Sequence, residues 1–244
     1  MNAIEITGLM KKYKERTAVK SLNLSIEQGT CFALLGVNGA GKTTTIKMLS
    51  CLTKPTSGDA VILGKSILTE PQAVKEIANI SPQETAVAPN LTVRENLELI
   101  AGIYGSEGRA AREKATRMIK EFDLSEVERQ KAKTLSGGWQ HRLSIAMTLI
   151  SEPQVLFLDE PTLGLDVLAR RELWSVIEHL RGKVTIILTT HYMEEAEALS
   201  DSIGVMARGE LKALGTAAEL IARTGAKTFE DAFVALATGS EASA

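Results

Sequence analysis

The chain has 244 residues, 44% of them hydrophobic and 24% charged. That is enough apolar material to bury a core without disulfide staples, and it excludes a disordered or fibrous chain. With 28 Lys and Arg against 30 Asp and Glu, the formal charge of −2 supplies no whole-chain attraction to a nucleic-acid backbone, so nucleic acid is not an expected partner.

The first ten residues lack a basic segment followed by an apolar run and already carry Glu5, so they do not read as a secretory signal. The longest uncharged stretch, 28–41, contains four glycines and falls short of the ~20 apolar residues that span a bilayer. The expected location is therefore the cytosol. Cys31 and Cys51 have no His or Cys at ligand spacing, and both read as buried small apolar side chains.

In chain order, β-rich runs occupy 3–7 and 22–26, the latter alternating, and the mostly apolar run 31–35 has the pattern of a buried strand. A glycine-rich turn over 36–41 leads into a helical segment, 42–52, and short strands are expected at 60–63 and 77–80. The segments 93–104, 108–122 and 139–150 have helical character with no strand between them, which reads as an inserted helical lobe. Strand patterns return at 155–158, 184–188 and 203–206, separated by helices at 167–180 and 192–199. Such alternation implies a mostly parallel sheet covered by helices. Two short helices, 216–223 and 228–236, and a frayed tail, 239–244, complete the reading.

Gly36-Val37-Asn38-Gly39-Ala40-Gly41-Lys42-Thr43 fits the phosphate-binding pattern G-x-x-x-x-G-K-[ST], and it sits between an apolar strand and a helix, as the mechanism requires. Successive amides in such a loop converge on an anion and the helix adds its positive dipole end. Lys42 is expected to reach the β- and γ-phosphates, and the Thr43 hydroxyl to ligate a Mg²⁺ that keeps several waters. The run Val155-Leu156-Phe157-Leu158-Asp159 is an apolar strand ending in a carboxylate suited to supporting that metal. Glu160 follows at once, where a carboxylate can take a proton from the water attacking the γ-phosphate. These features leave kinases, GTPases, helicases and transport ATPases open.

Leu135-Ser136-Gly137-Gly138 narrows the choice, because here the chain resembles the ATP-binding subunits of ABC transporters, whose signature is LSGG. In that family's order stand Gln83 at the Q-loop position, Asp159-Glu160-Pro161-Thr162, Gly164-Leu165-Asp166 as the D-loop and Thr190-His191 as the switch histidine. Tyr13 matches the aromatic residue that stacks on adenine. Trp139 departs from the Gln of many members, so the signature role is carried only onto Ser136, Gly137 and Gly138.

The resemblance implies an α/β fold: a P-loop NTPase core with a mostly parallel sheet, an N-terminal antiparallel β subdomain and an inserted helical subdomain. One domain over 1–238 is expected, with core 1–83 and 152–213, helical subdomain 84–151 and C-terminal extension 214–238. It also implies roles. Lys42, Thr43 and Thr44 hold phosphates and Mg²⁺, Gln83 contacts metal or water, Asp159 supports Mg²⁺, Glu160 is the base, His191 steadies the γ-phosphate and Asp166 links two sites. ATP and Mg²⁺ are the implied ligands.

The implied partners are a second copy or a paralogous ATP-binding subunit, facing head to tail, and a separate membrane permease on whose cytoplasmic face the subunit sits. The tail from Leu214-Gly215-Thr216 to Phe229-Glu230-Asp231-Ala232-Phe233 is similar to that of ABC-2 type exporter subunits, implying export of a drug or other hydrophobic cargo. A non-transport ABC ATPase acting on DNA or ribosomes is the alternative. Long coiled-coil inserts or tandem nucleotide domains would favour it, and neither is in the sequence.

Overall fold

The computed structural model describes residues 1–239. Its strands are β1 (Asn2–Tyr13), β2 (Arg16–Glu27), β3 (Cys31–Leu35), β4 (Ser57–Ile62), β5 (Lys65–Ser66), β6 (Ala78–Ser81), β7 (Val155–Asp159), β8 (Thr185–Thr190), β9 (Ser202–Ala207) and β10 (Glu210–Gly215). Its α-helices are α1 (Lys42–Leu49), α2 (Pro71–Ile77), α3 (Val93–Ile103), α4 (Gly108–Glu121), α5 (Gly137–Leu149), α6 (Val167–Glu178), α7 (Met193–Leu199), α8 (Ala217–Thr224) and α9 (Phe229–Thr238).

Two sheets form. An antiparallel one has the order β2-β1-β4-β5, and a six-stranded one the order β10-β9-β3-β8-β7-β6. In the second, β6, β7, β8, β3 and β9 run parallel and only β10 is antiparallel. Because successive strand side chains point to opposite faces, β3 is apolar on both sides. Cys31, Ala33 and Leu35 join the core under the helices. Phe32 and Leu34 join a second core with Ile46, Met48 and Leu49 of α1 and the apolar face of the antiparallel sheet. Helix α1 is thus wedged between the sheets, which fixes where its N-terminus points.

The helical lobe contains α3, α4 and α5, two 3-10 turns and one isolated bridge between Thr92 and Lys131. Helix α3 opens with a capping box, Thr92 accepting from the Glu95 amide while Glu95 accepts from the Thr92 amide. Asn96 is fully buried and holds the preceding loop: its Nδ2 donates to the carbonyls of Ala88, Leu91 and Thr92, and its Oδ1 accepts from the Ala88 amide. This side chain anchors the segment that runs from Gln83 into the lobe. The charged helix α4 turns Ala111, Ala115, Met118 and Ile119 inward and leaves its ionic face to solvent.

Several expectations need correction. Helix α5 starts at Gly137, not at 139, with Ser136 as its N-cap, because glycine is tolerated in a first turn when the helix is held by packing. Helix α1 stops at Leu49 rather than 52, and Cys51, expected to be buried, is half-exposed at φ 57 just beyond it. The pattern at 60–80 missed α2 and β5. Pro71 occupies the first turn of α2, where its missing N–H costs nothing, and Ile77 closes that helix instead of opening a strand. It also missed β10, which returns on β9 through Arg208-Gly209, both at positive φ, the geometry of a tight hairpin turn. Residues Leu214 and Gly215 therefore finish a strand. Trp174 is half-buried against the core with Leu173 and Ile177 beneath it. Of the expected tail, Gly239 caps α9, and 240–244 lie outside the described residues.

Candidate functional site

The loop from Gly36 to Gly41 is a direct product of the sheet order, because β3 lies between β8 and β9 and delivers it to the carboxyl edge of the parallel strands. Its last residue, Gly41, caps α1 at φ 109, and a Cβ there would sit 2.5 Å from the Ala18 carbonyl. The first amides of α1 have no intrahelical acceptor and face the same cavity as the helix dipole. Gly41→Ala is expected to cost about 3 kcal/mol through strain and crowding. A thermal melt lower by about 6–12 °C, with weakened nucleotide binding, checks it.

A cavity of about 440 Å³ opens in front of this loop, lined by Tyr13, Arg16, Ala18, Asn38 to Thr44, Gln83, Glu160, Leu163 and His191. The fold thus gathers residues that are far apart in sequence: Tyr13 from the β1–β2 hairpin, the glycine loop, Gln83 after β6, Glu160 after β7 and His191 after β8. Tyr13 is 46% exposed on the rim, with the Lys11 ammonium over its ring at 5.0 Å from the centroid.

At the floor, Lys42 is buried, and its Nζ donates to the Gly36 carbonyl at 2.7 Å and pairs with Glu160 Oε1 at 3.0 Å. The other Glu160 oxygen contacts His191 Nδ1. Glu160 is itself buried, with its backbone in the left-handed region at φ 51. Thr189 holds that conformation, its carbonyl and hydroxyl both accepting from the Glu160 amide, at 3.1 and 3.0 Å. Asp159 is buried too, and its Oδ1 accepts from the hydroxyls of Thr43 at 3.0 Å and Thr189 at 2.7 Å.

Thr43 and Asp159 are hard oxygen donors set side by side beneath the phosphate cradle, the donor chemistry that suits Mg²⁺. Among the described residues no group of three or more His, Cys, Asp or Glu forms a metal cage, so the donor set fits an ion that completes its shell with water and phosphate oxygens rather than one enclosed by protein.

The signature is elsewhere. Ser136 and Gly137 are exposed at the N-terminus of α5 and do not line the cavity. Helix α5 leans on α6, with Arg142 bonded to Glu172 at 2.6 Å and Gly138 so close that an added Cβ would meet Ala169 at 3.1 Å. Asp166 caps α6, its Oδ1 accepting from the amides of Leu168 and Ala169. Beside it Val167 and Leu168 are exposed, Leu168 by 74%.

Two participants escaped the sequence reading. Arg16 pairs in register with Tyr13 across the hairpin and brings a guanidinium to the cavity wall. No strong local signal was available, since Lys14-Glu15 is not a typical hairpin-turn pair and the residues beside it do not alternate. Thr189 reaches Asp159 only because β7 and β8 are parallel and in register, Asp159 opposite Thr189, and nothing local announces that.

The chain is similar to known proteins in sequence and in fold. Residues 19–163 match the sequence model of the ABC transporter family. The chain is 41% identical over 224 residues to the daunorubicin resistance ATP-binding protein DrrA3 of Streptomyces coeruleorubidus, covering 91% of this chain and 71% of that protein. It is also 41% identical over 239 residues to the probable multidrug ABC transporter ATP-binding protein YbhF of Escherichia coli, covering 96% of this chain but only 41% of that longer protein. Among solved structures, an ATP-binding subunit of an ABC transporter aligns with TM-score 0.83 at 28% identity, over 96% of this chain and 99% of its own. A dimeric post-hydrolysis state of the ATP-binding cassette MJ0796 bound to ADP and Pi aligns with TM-score 0.78 at 27% identity, over 87% of this chain and 98% of its own.

Proposed function

Because the chain belongs to the ABC transporter family, as an ATP-binding and ATP-hydrolysing subunit, we propose that two copies close head to tail on ATP and drive a separate membrane permease. The observation that carries this reading is the separation of two phosphate grips on one chain. The cradle at α1 faces its own cavity, while Ser136 and Gly137 lie exposed at another helix N-terminus, with Gly138 half-buried beside them, all outside it. A two-fold pairing places each signature over the other copy's cradle and covers the exposed Val167 and Leu168.

Within each composite site, Tyr13 stacks on adenine, Gly36 through Thr44 cradle the phosphates, and Ser136, Gly137 and Gly138 of the second copy close over them. Thr43, Asp159 and Gln83 hold Mg²⁺, which when bound offsets charge on the β- and γ-phosphates. Lys42 exchanges Glu160 for phosphate oxygens, leaving Glu160 to take a proton from water as its oxygen bonds to the γ-phosphorus. The bond from phosphorus to the bridging oxygen breaks, ADP and phosphate result, and His191 holds the γ-phosphate during transfer. Asp166, at the cap of α6, links the paired sites. ATP binds the closed pair more tightly than the open one, so binding closes it and hydrolysis releases it.

No helix of the described residues is long and apolar enough to cross a membrane. The dock for the permease is the helical lobe with the 83–91 loop, where Leu99 and Ile103 of α3 and its C-cap Tyr104 are exposed and Asn96 ties the loop down. The domain reads as core 1–83 and 152–213, helical part 84–151 and extension 214–238. Resemblance of that extension to ABC-2 type exporters, and relatives named for daunorubicin resistance and multidrug transport, support export of a drug-like hydrophobic cargo from the cytoplasmic face.

Purification of the intact complex tests this part. An exporter-type permease is expected, and a permease that depends on a substrate-binding protein overturns export. For the nucleotide site, Tyr13→Ala is expected to weaken ATP binding about tenfold through lost base stacking. The rate at saturating ATP should change by less than about twofold, because stacking is equal in ground and transition states. A binding titration paired with steady-state kinetics separates the two.

A further inference from the structure

Next to Glu160 and His191 lies a carboxyl group that the hydrolytic scheme does not use. Glu195, in the first turn of α7, has no exposure to solvent. Its Oε1 accepts from Trp174 Nε1 at 3.1 Å, tying α7 to α6. Its Oε2 is buried without a well-formed hydrogen bond, and so is the hydroxyl of Thr162, which ends the run that begins at Asp159, although the Thr162 and Thr190 hydroxyls lie close enough to act on the carboxyl as weak donors.

An ionised carboxylate in such a place needs a cation or a full set of donors. Among the described residues Glu195 has no paired cation, and its one well-formed hydrogen bond comes from Trp174. The charge that acts on it is Glu160, of the same sign. On the elements packed around it, Cys31 of β3 is an electrostatic neighbour, and Arg170 of α6 lies over the rings of Trp174 and Tyr192 without bonding the carboxyl. Burial pushes the Glu195 carboxyl above the usual carboxylate range and Glu160 adds to the rise, against the pull of the Thr190, Thr162 and Trp174 donors.

We propose that Glu195 is a neutral carboxylic acid that accepts from Trp174 through Oε1 and donates the Oε2 proton to the Thr162 hydroxyl, a positioning residue that sets Glu160 against His191. The bond joins the segment after Glu160 to the helix that follows His191, so one buried proton fixes the spacing of both. The consequence for catalysis rests on the hydrolytic reading above. The protonation does not.

Glu195→Gln keeps one acceptor and one donor and cannot ionise. The folded wild type holds a proton that the unfolded chain releases above about pH 4.3, so its stability falls as pH rises until the folded group itself ionises. Relative to E195Q, its melting temperature is expected to fall as pH rises past about 4.3, by up to about 3 °C per unit for as long as the folded group keeps its proton. Wild-type-minus-E195Q infrared difference spectra should show a protonated-carboxyl C=O band. Parallel melting curves with no such band overturn the proposal.

E195Q should retain kcat within about twofold, while Glu195→Ala loses about tenfold or more in kcat with KM for ATP little changed. Wild-type kcat in the alanine variant overturns the positioning role. Should alanine unfold the chain, Thr162→Val reads the same contact, with an expected loss of about fivefold in kcat, and an unchanged kcat again overturns it. A wild type without ATPase activity would refute the hydrolytic reading and leave the melting and infrared results to decide the protonation.

Discussion

Glu160→Gln is expected to lower steady-state ATP hydrolysis by at least about 10²-fold, the contribution of a placed general base, while ATP binding survives. Glutamine has nearly the volume of glutamate and its amide oxygen can still accept from Lys42 Nζ, which lies 3.0 Å from Glu160 Oε1. What it cannot do is take the proton of the attacking water. The phosphate cradle and the Thr43–Asp159 pair do not depend on that proton, so the variant should bind nucleotide and stay in the closed, two-copy state. Sizing with ATP should show a stable dimer for E160Q and a transient one for the wild type. Hydrolysis by E160Q at the wild-type rate removes Glu160 from the chemistry.

The second large effect separates the two halves of the composite site. Lys42→Ala removes the buried ammonium that meets the phosphates and leaves Glu160 without its cation, so binding of ATP should fall about 10²-fold or more. Ser136→Glu leaves the cradle intact and sets a negative charge where the partner's γ-phosphate must arrive. It should bind ATP as a monomer without closing. Ser136 is exposed and its side chain makes no capping bond, so this change should not unfold α5. Neither variant alone dimerises. Mixed with ATP, they should form a heterodimer, because the Ser136→Glu copy supplies a good cradle and the Lys42→Ala copy a good signature. Sizing or light scattering reads this directly. A mixture that stays monomeric while the wild type dimerises rejects the head-to-tail arrangement.

How far the site was legible depended on whether its chemistry is local. The glycine loop is self-announcing, since its residues are contiguous and the flanking strand and helix have their own periodicity, and β3 has the expected limits, Cys31–Leu35. The pair Asp159-Glu160 was legible only with the glycine loop upstream, because an apolar strand that stops at two acids is by itself an ordinary solvated strand end. Tyr13, Gln83 and His191 carried no local signal of comparable strength and entered through the order of motifs. The structure then brings all three to one cavity. Missed elements had weak patterns: α2 has a single buried residue, Val74, and β5 is two residues long.

From its sequence alone, the chain determined its strongly patterned elements and the class of its chemistry, because hydrophobic periodicity and a phosphate-binding loop are properties of neighbouring residues. Tertiary structure decided the rest. The parallel register of β7 and β8 sets Thr189 against Asp159, the wedging of α1 between two sheets aims its N-terminus, and the packing of α6 on α7 buries Glu195 beside Trp174. It also decided that the signature lies outside the cavity of its own cradle. Distances between residues far apart in the chain depend on how strands order and helices pack, and no local pattern encodes those.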